Sequence, residues 1–146
     1  MISLALNIYA VGKVKDTAIS SKCEEYLKKI SHDSKLCIVE VKDSDKIKEG
    51  EKVLSLLRKN QDYIIALSEN GKEYSSIAFA HHIAKINKPI SFIIGGHHGL
   101  DELVLNAATE QLSLSKMTFT HEMARLLLLE QIYRALAILN NRSYHR

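Results

Sequence analysis

A single proline and only six glycines stand in 146 residues, and no polar low-complexity stretch is long enough to serve as a linker. Nothing divides the chain, so one domain over 1–146 is expected, with 46% hydrophobic residues to fill its core. Two cysteines are too few for a disulfide framework. Cys23 falls in a predicted helix and Cys37 in a predicted strand, both among apolar neighbours, and both read as buried free thiols. No apolar run approaches the roughly 18 residues that span a bilayer. The apolar opening Met1–Val11 follows no basic segment and is interrupted by Asn7, so it reads as a buried strand and not a secretory signal. A cytoplasmic protein is the expectation.

A large excess of one charge is also missing, since the formal net charge is +3, too small to argue for nucleic acid by itself. Its distribution says more. From Arg125 onward the chain carries Arg125, Arg134, Arg142 and Arg146 against Glu130, and it ends Tyr144-His145-Arg146. Guanidinium groups grip phosphate in pairs of hydrogen bonds and aromatic rings stack on unpaired bases, so such a tail suits RNA. A solvated C-terminal end would read the same way.

Strand and helix patterns alternate along the whole chain. Ile2–Ala10 is a predicted strand, and Asp16 can cap a helix whose Ile19, Cys23, Tyr26, Leu27 and Ile30 share one buried face. Leu36–Val41 is rich in branched residues, as strands are. A charged stretch, Lys42–Glu51, leads to a helix around Val53–Leu57 and a strand Tyr63–Leu67. Ser68-Glu69-Asn70-Gly71 has turn composition, a helix pattern runs from Ser75 to Ile86, and Pro89 precedes the apolar strand Ile90–Ile94. Then come a helix Asp101–Ala108, a last strand Leu112–Met117, and a helix capped by Thr120 that runs to Asn140. This alternation predicts an α/β domain, a mainly parallel sheet with helices on both faces. The last helix contains Leu126-Leu127-Leu128-Leu129, apolar all round, so it lies either in the centre of the domain or against a second subunit, with the subunit interface preferred.

Parallel sheets bind ligands outside the carboxyl ends of their strands, which singles out the loops after Leu67, Ile94 and Met117. The turn after the first strand, Val11-Gly12-Lys13, lacks dinucleotide-binding glycine spacing, and no phosphate-loop motif occurs. Gly95-Gly96-His97-His98-Gly99 offers exposed backbone N–H groups and lets a ligand approach the main chain, although a bland tight turn has the same composition.

The segment from Glu110 is more specific. Its Leu112-Ser113-Leu114-Ser115, its His121 and Arg125 pair, its Glu130-Gln131-Ile132-Tyr133-Arg134-Ala135 run and its terminal Tyr144-His145-Arg146 resemble the RlmH family of SPOUT methyltransferases. Ile94-Gly95-Gly96-x-x-Gly99-Leu100, Leu67-x-x-x-Gly71-Lys72 and Val11-Gly12-Lys13 match the same family, so the resemblance covers nearly the whole chain. It implies a SPOUT α/β fold with a C-terminal trefoil knot, which pattern reading would not propose because knotted chains are rare. It further implies a homodimer sharing its active sites, S-adenosylmethionine as cofactor, and N3 of a pseudouridine in large-subunit (23S) ribosomal RNA as acceptor; a domain this small, without a separate RNA-binding extension, is expected to act on the assembled ribosome.

Carried onto matching positions, the cofactor pocket comprises Leu67, Gly95, Gly96, Gly99 and the run Ser115, Lys116, Met117, Thr118, Phe119 and Thr120. An imide N–H is a poor nucleophile until its proton leaves, so a base and a stabiliser of the anion are needed. The resemblance offers Arg134 for the charge, His145 or Glu130 for the proton and Tyr144 for positioning, with His121 a further catalytic candidate; Arg125, Arg142 and Arg146 are the RNA-binding candidates. Ordinary readings stay open: a helix-capping His121 and an intrahelical Glu130–Arg134 ion pair at spacing four. So do two other classes, a non-catalytic RNA-binding dimer and an unrelated nucleotide-binding enzyme. The chain departs from the family at Ser143, where proline is common, and at His97-His98. Adjacent histidines seldom face one ion and no carboxylate or cysteine stands at ligand spacing, so no metal is expected.

Overall fold

The computed structural model describes residues 1–145. Five strands and five helices alternate: β1 (Ala5–Val11), α1 (Thr17–Ser31), β2 (Lys35–Val41), α2 (Lys46–Leu57), β3 (Tyr63–Glu73), α3 (Ser76–Ala84), β4 (Ile90–Ile94), α4 (Glu102–Ala107), β5 (Glu110–Ser113) and α5 (His121–Leu139). The strands form one parallel sheet in the order β2-β1-β4-β3-β5. Side chains alternate across it. Leu6, Ile8 and Ala10 of β1 and Ile90, Phe92 and Ile94 of β4 pack under α1, α3 and α5. Tyr9, Val11 and Ile93 point the other way, onto Val53 and Leu57 of α2 and Val104 of α4. The α/β class expected from the alternating pattern is therefore present, with helices on both faces.

The helices begin where their caps dictate. Asp16 accepts from the Ala18 and Ile19 N–H groups, and the Thr120 hydroxyl accepts from Met123 N at 3.2 Å. Asp45 caps α2 in the same way, so Lys46–Glu51 of the charged stretch form the first half of that helix, mostly exposed but with Glu49 and Gly50 buried. At the amino end of the sheet the Glu110 carboxylate gathers the Tyr63 and Tyr74 hydroxyls and His82 Nε2, the last at 2.7 Å, tying β3, β5 and α3 together.

Three expectations are corrected. Ser68–Gly71 does not end a strand; it is an excursion inside β3, whose Leu67 and Lys72 both face Leu112 of β5. The last strand stops at Ser113 and not at Met117, because β5 is an edge strand that follows β3 only as far as Glu73. Cys23 is buried, but Cys37 is exposed, since β2 is the other edge strand and has no helix over Cys37. The apolar α5 buries Leu128, Leu129, Ile132, Ala135 and Leu136, and much of this cover comes from α1 and α3 of the same chain. Leu127 is half-buried beside a groove of about 300 Å³ bounded by Phe79, Phe119 and Gln131.

One connection sets up the site. After β5, at one edge of the sheet, residues 114–120 carry the chain past β3 and β4, so that α5 starts over β1, with His121 against Gly12 and Arg125 reaching Glu40 of β2. That crossing spans three strand spacings, about 14 Å, which seven residues cover without strain.

Candidate active site

The carboxyl ends of β3, β4 and β5 surround a cavity of about 370 Å³. From the expected cofactor set Leu67, Gly95, Gly96, Gly99, Ser115, Met117 and Phe119 line it. Lys116, Thr118 and Thr120 do not: Lys116 is exposed beside Glu73 at 3.9 Å, and Thr120 is spent on capping α5. Residues that the sequence reading missed complete the wall, chiefly Ser68, Glu69 and Asn70 of the β3 excursion, Leu100 and Leu114. Their turn composition was visible, but the pairing that folds the excursion over the pocket is not a local property.

The glycines make the cavity. A Cβ on Gly95 would lie 2.7 Å from the Gly99 carbonyl carbon, and one on Gly96 would lie 2.8 Å from Val11 Cγ1, so side chains there would fill the loop. Gly99, at φ +76°, closes the turn with its N–H on the Gly96 carbonyl at 3.1 Å. Main-chain groups of this loop therefore face a ligand directly. Half apolar wall (Leu67, Ile94, Leu114, Phe119) and half polar (Ser68, Asn70, Ser115), the cavity has the make-up and size of a site for a nucleoside-like cofactor.

A second cluster forms at the far end of α5. Asn140 and Asn141 end the helix in a reversal: Asn141 takes a left-handed φ of 56°, Arg142 N–H donates to Ala137 O at 2.8 Å, and Asn141 N–H donates to Ile138 O. Arg142 then pairs with Asp33 at the end of α1, whose side chain is 6% exposed. The chain is thereby turned back along α5, and Tyr144 and His145 return to Glu130 and Arg134.

There Arg134 donates to Glu130 Oε1 from Nε at 3.0 Å and from Nη2 at 2.6 Å. Its Nη1 lies 3.1 Å from His145 Nδ1, and its Cζ sits 4.8 Å over the Tyr144 ring. Arginine has only donors, so the His145 Nδ1 is an acceptor and carries no proton in this arrangement. The Tyr144 hydroxyl donates to Glu130 Oε1 at 3.1 Å and receives the Tyr26 hydroxyl at 3.1 Å, while Gln131 Nε2 covers Glu130 Oε2 at 2.9 Å. Burial first, then the Tyr26 hydrogen bond and the Glu130 charge, push the Tyr144 hydroxyl far above the usual phenol range, and the Glu130 hydrogen bond holds the Arg134 guanidinium even more firmly protonated. The result is a fixed cation presented by a neutral phenol and a bonded carboxylate.

Of the five catalytic candidates, then, four meet and one stands apart. Glu130, Arg134, Tyr144 and His145 form the cluster; His121 lies at the other end of α5, lining the cavity at the strand ends. Tyr26 and Gln131 belong to the cluster and were not anticipated. Tyr26 shows in the sequence only as a member of the buried face of α1. Arg125, a candidate for RNA, is buried instead: its Nη1 donates to Glu40 at 2.7 Å and its Nη2 to Gly12 O at 3.0 Å, so it braces α5 against β1 and β2. Arg142 is taken up by Asp33, and Arg146 lies outside the described residues. Among the described residues no group of three His, Cys, Asp or Glu side chains is placed to hold a metal ion, and no helix is long and apolar enough to cross a membrane.

A parallel sheet with ligand loops gathered at one end and a terminal helix carried back over its middle defines a class. The family model described as "Predicted SPOUT methyltransferase" matches residues 4–145, and the chain belongs to that family. Among curated relatives, it is 40% identical to Ribosomal RNA large subunit methyltransferase H of Pseudothermotoga lettingae, over 97% of this chain and 99% of that protein. It is 38% identical to the protein of the same name from Carboxydothermus hydrogenoformans, over 98% and 100%. In fold it is similar to a solved probable methylase family protein from Haemophilus influenzae Rd KW20, with a TM-score of 0.63 and 14% identity over 97% of this chain and 70% of that one.

Proposed function

We propose that this chain methylates N3 of a pseudouridine in large-subunit (23S) ribosomal RNA, using S-adenosylmethionine and acting as a knotted homodimer on assembled ribosomes in the cytoplasm. The reading is supported by relatives that share the name Ribosomal RNA large subunit methyltransferase H across nearly their full length. The observation that carries it is the glycine-lined cavity at the strand ends together with the preset Arg134 cluster.

Leu67, Leu114 and Phe119 would pack on the adenine, with the Gly95–Gly99 backbone and Ser115 on its polar edges. S-adenosylmethionine, when bound, supplies an electrophilic methyl group on its sulfonium. The protein must then bring the acceptor nitrogen into line and manage its proton. Arg134 stabilises the negative charge on the deprotonated base, and Glu130 and Tyr144 keep the guanidinium aimed. His145, whose Nδ1 is unprotonated, accepts the proton when the incoming base takes its place against Arg134. Ala124, at the cavity, and Arg134 are ten residues apart on one helix, about 15 Å. A site that needs both is completed by a second copy, with the half-buried Leu126 and Leu127 of α5 available for the contact.

The test is transfer of labelled methyl from S-adenosylmethionine to ribosomes from cells lacking the endogenous activity. Label at a large-subunit pseudouridine is expected, and cofactor binding without any label in that RNA would overturn the assignment. Sedimentation at micromolar concentration should give a dimer; a monomer would remove the shared site.

A further inference from the structure

Beside the cofactor cavity the sheet opens a second crevice. The chain leaves β1 toward the face that carries α1, whereas β2 and β4, on either side of it, lead to α2 and α4 on the opposite face. Where neighbouring connections diverge in this way, an open parallel sheet leaves a cleft outside its carboxyl ends. Here that cleft is about 710 Å³, floored by Val11, Gly12 and Val41, and it meets the cofactor cavity at Gly96 and His121, which line both. Apart from Gly96 and His121, none of the candidate cofactor and catalytic residues discussed so far lines it.

Its walls carry Lys13, Lys15 and Lys42, all exposed. Three carboxylates also face it, but they are not equivalent to the lysines. Glu40 is neutralised by the buried Arg125 at 2.7 Å, which leaves Asp43 and Glu122, whose Oε1 accepts the Asp16 backbone N–H at 3.1 Å, against three lysines. Lys22, Lys29, Lys48 and Lys116 each have a carboxylate within 3.9 Å. Among the described residues no such partner stands beside Lys13, Lys15 or Lys42. Flexible ammonium groups without a carboxylate partner, lining a cleft too large for a single anion, suit a polyanion that passes through it.

We infer that this cleft seats the ribose-phosphate backbone of the RNA strand next to the nucleotide being methylated, with Lys13, Lys15 and Lys42 on its phosphates. The inference rests on the RNA methyltransferase reading above. An acceptor base must lie against the cofactor's methyl group; two open spaces adjoin the cofactor cavity, the groove beside Leu127 across Leu114 and Phe119 and this cleft across Gly96 and His121, and only the cleft carries lysines. Two of the three arginines expected from sequence to contact RNA are not available for this: Arg125 is buried under the cleft and Arg142 is paired with Asp33, while Arg146 lies outside the described residues. Phosphate contacts position a strand without reading its sequence, so the three lysines set affinity and register, not base choice.

The experiment measures equilibrium binding of the full chain to isolated large ribosomal subunits over a series of salt concentrations, with S-adenosylmethionine binding measured in parallel. The K13A/K15A/K42A triple variant is compared with K13R/K15R/K42R and with K35A/K85A/K88A, which removes as many exposed lysines from the opposite, amino end of the sheet. The first is expected to bind at least about 30-fold more weakly, with a salt dependence shallower by about 2 to 3 in log–log slope. The arginine variant and the amino-end control should bind as wild type does, and cofactor affinity should be unchanged in all three. Wild-type binding by K13A/K15A/K42A, or an equal loss in the amino-end control, would overturn the inference. So would a loss of cofactor binding in K13A/K15A/K42A, which would assign the lysines to the cofactor. Weakened binding by that variant in a protein whose wild type transfers no methyl group would instead leave the cleft standing and remove the methyltransferase reading.

Discussion

The two ends of α5 are built on opposite plans. At His121 three loops stand apart around hollow space, glycines keep side chains out of it, and Met117 at the rim is 75% exposed. At Arg134 the chain folds back on itself and packs polar groups until Glu130 alone accepts from Arg134, Tyr144 and Gln131. The hollow end can take a ligand and can do nothing to an acceptor by itself. The filled end presents a preorganised cation and has no room for a cofactor. The difference teaches that hollow space for a ligand and a fixed cation are built at separate ends of one helix; in the function proposed above they are joined when two copies combine their opposite ends.

Arg134→Ala tests that division most severely. Loss of a preorganised charge partner is expected to lower methyl transfer by about 100-fold or more, with S-adenosylmethionine affinity, read by calorimetry, unchanged. Gly95→Ala should do the reverse and weaken cofactor binding about tenfold or more, because its Cβ would press on the Gly99 carbonyl carbon at 2.7 Å. Mixing the two inactive proteins and letting the subunits exchange should recover about a quarter of the wild-type rate, the statistical share of sites with both ends intact in a two-fold dimer. No recovery would mean that each chain builds its site alone.

Smaller effects sharpen the comparison by testing what holds each end. Arg142→Ala strands the nearly buried Asp33 carboxylate and loosens the reversal that returns Tyr144 and His145. A stability loss of about 2 kcal/mol in chemical denaturation is expected, with methyl transfer falling and cofactor affinity unmoved. Tyr63→Phe, remote from both ends, should cost about 1 kcal/mol at neutral pH and leave both functions intact. Burial first, then its hydrogen bond to Glu110, pushes the Tyr63 hydroxyl up to about 12. Between its ordinary value of 10 and about 12 the folded chain keeps a proton that the unfolded chain releases, so the stability this group contributes is present below pH 10 and lost as pH rises to 12. Denaturation midpoints across that window should fall less steeply in Tyr63→Phe than in wild type; equal slopes would show that folding does not raise the Tyr63 hydroxyl above its ordinary value.

Much of the fold was legible because it rests on local periodicity. The caps at Asp16 and Thr120, the buried face of α1 and the uninterrupted apolar β4 are all properties of neighbouring residues. What was illegible depends on distant partners. Ser68–Asn70 look like an ordinary turn until Lys72 is paired beyond it with Leu112, and only then do they become a wall of the strand-end cavity. Cys37 looks as apolar in its surroundings as Cys23, and only the strand order leaves it on an edge. Arg125 has the appearance of one more cation in a basic tail, yet the crossing after β5 carries it to the buried side of Glu40 and Gly12. The candidate site divides in the same manner: the glycine loop and the Glu130–Arg134 spacing are written in the chain, while Tyr26 enters through a helix packed more than a hundred residues away in sequence.

By itself the sequence determined the α/β class and the family, because hydrophobic period, caps and motif order are set by which residues are neighbours along the chain. Tertiary structure alone decided which cations are free and which are spent, and which candidates share a site. Charge neutralisation, burial and the approach of a hydroxyl to a carboxylate depend on distances of a few ångströms between residues that the chain itself keeps far apart.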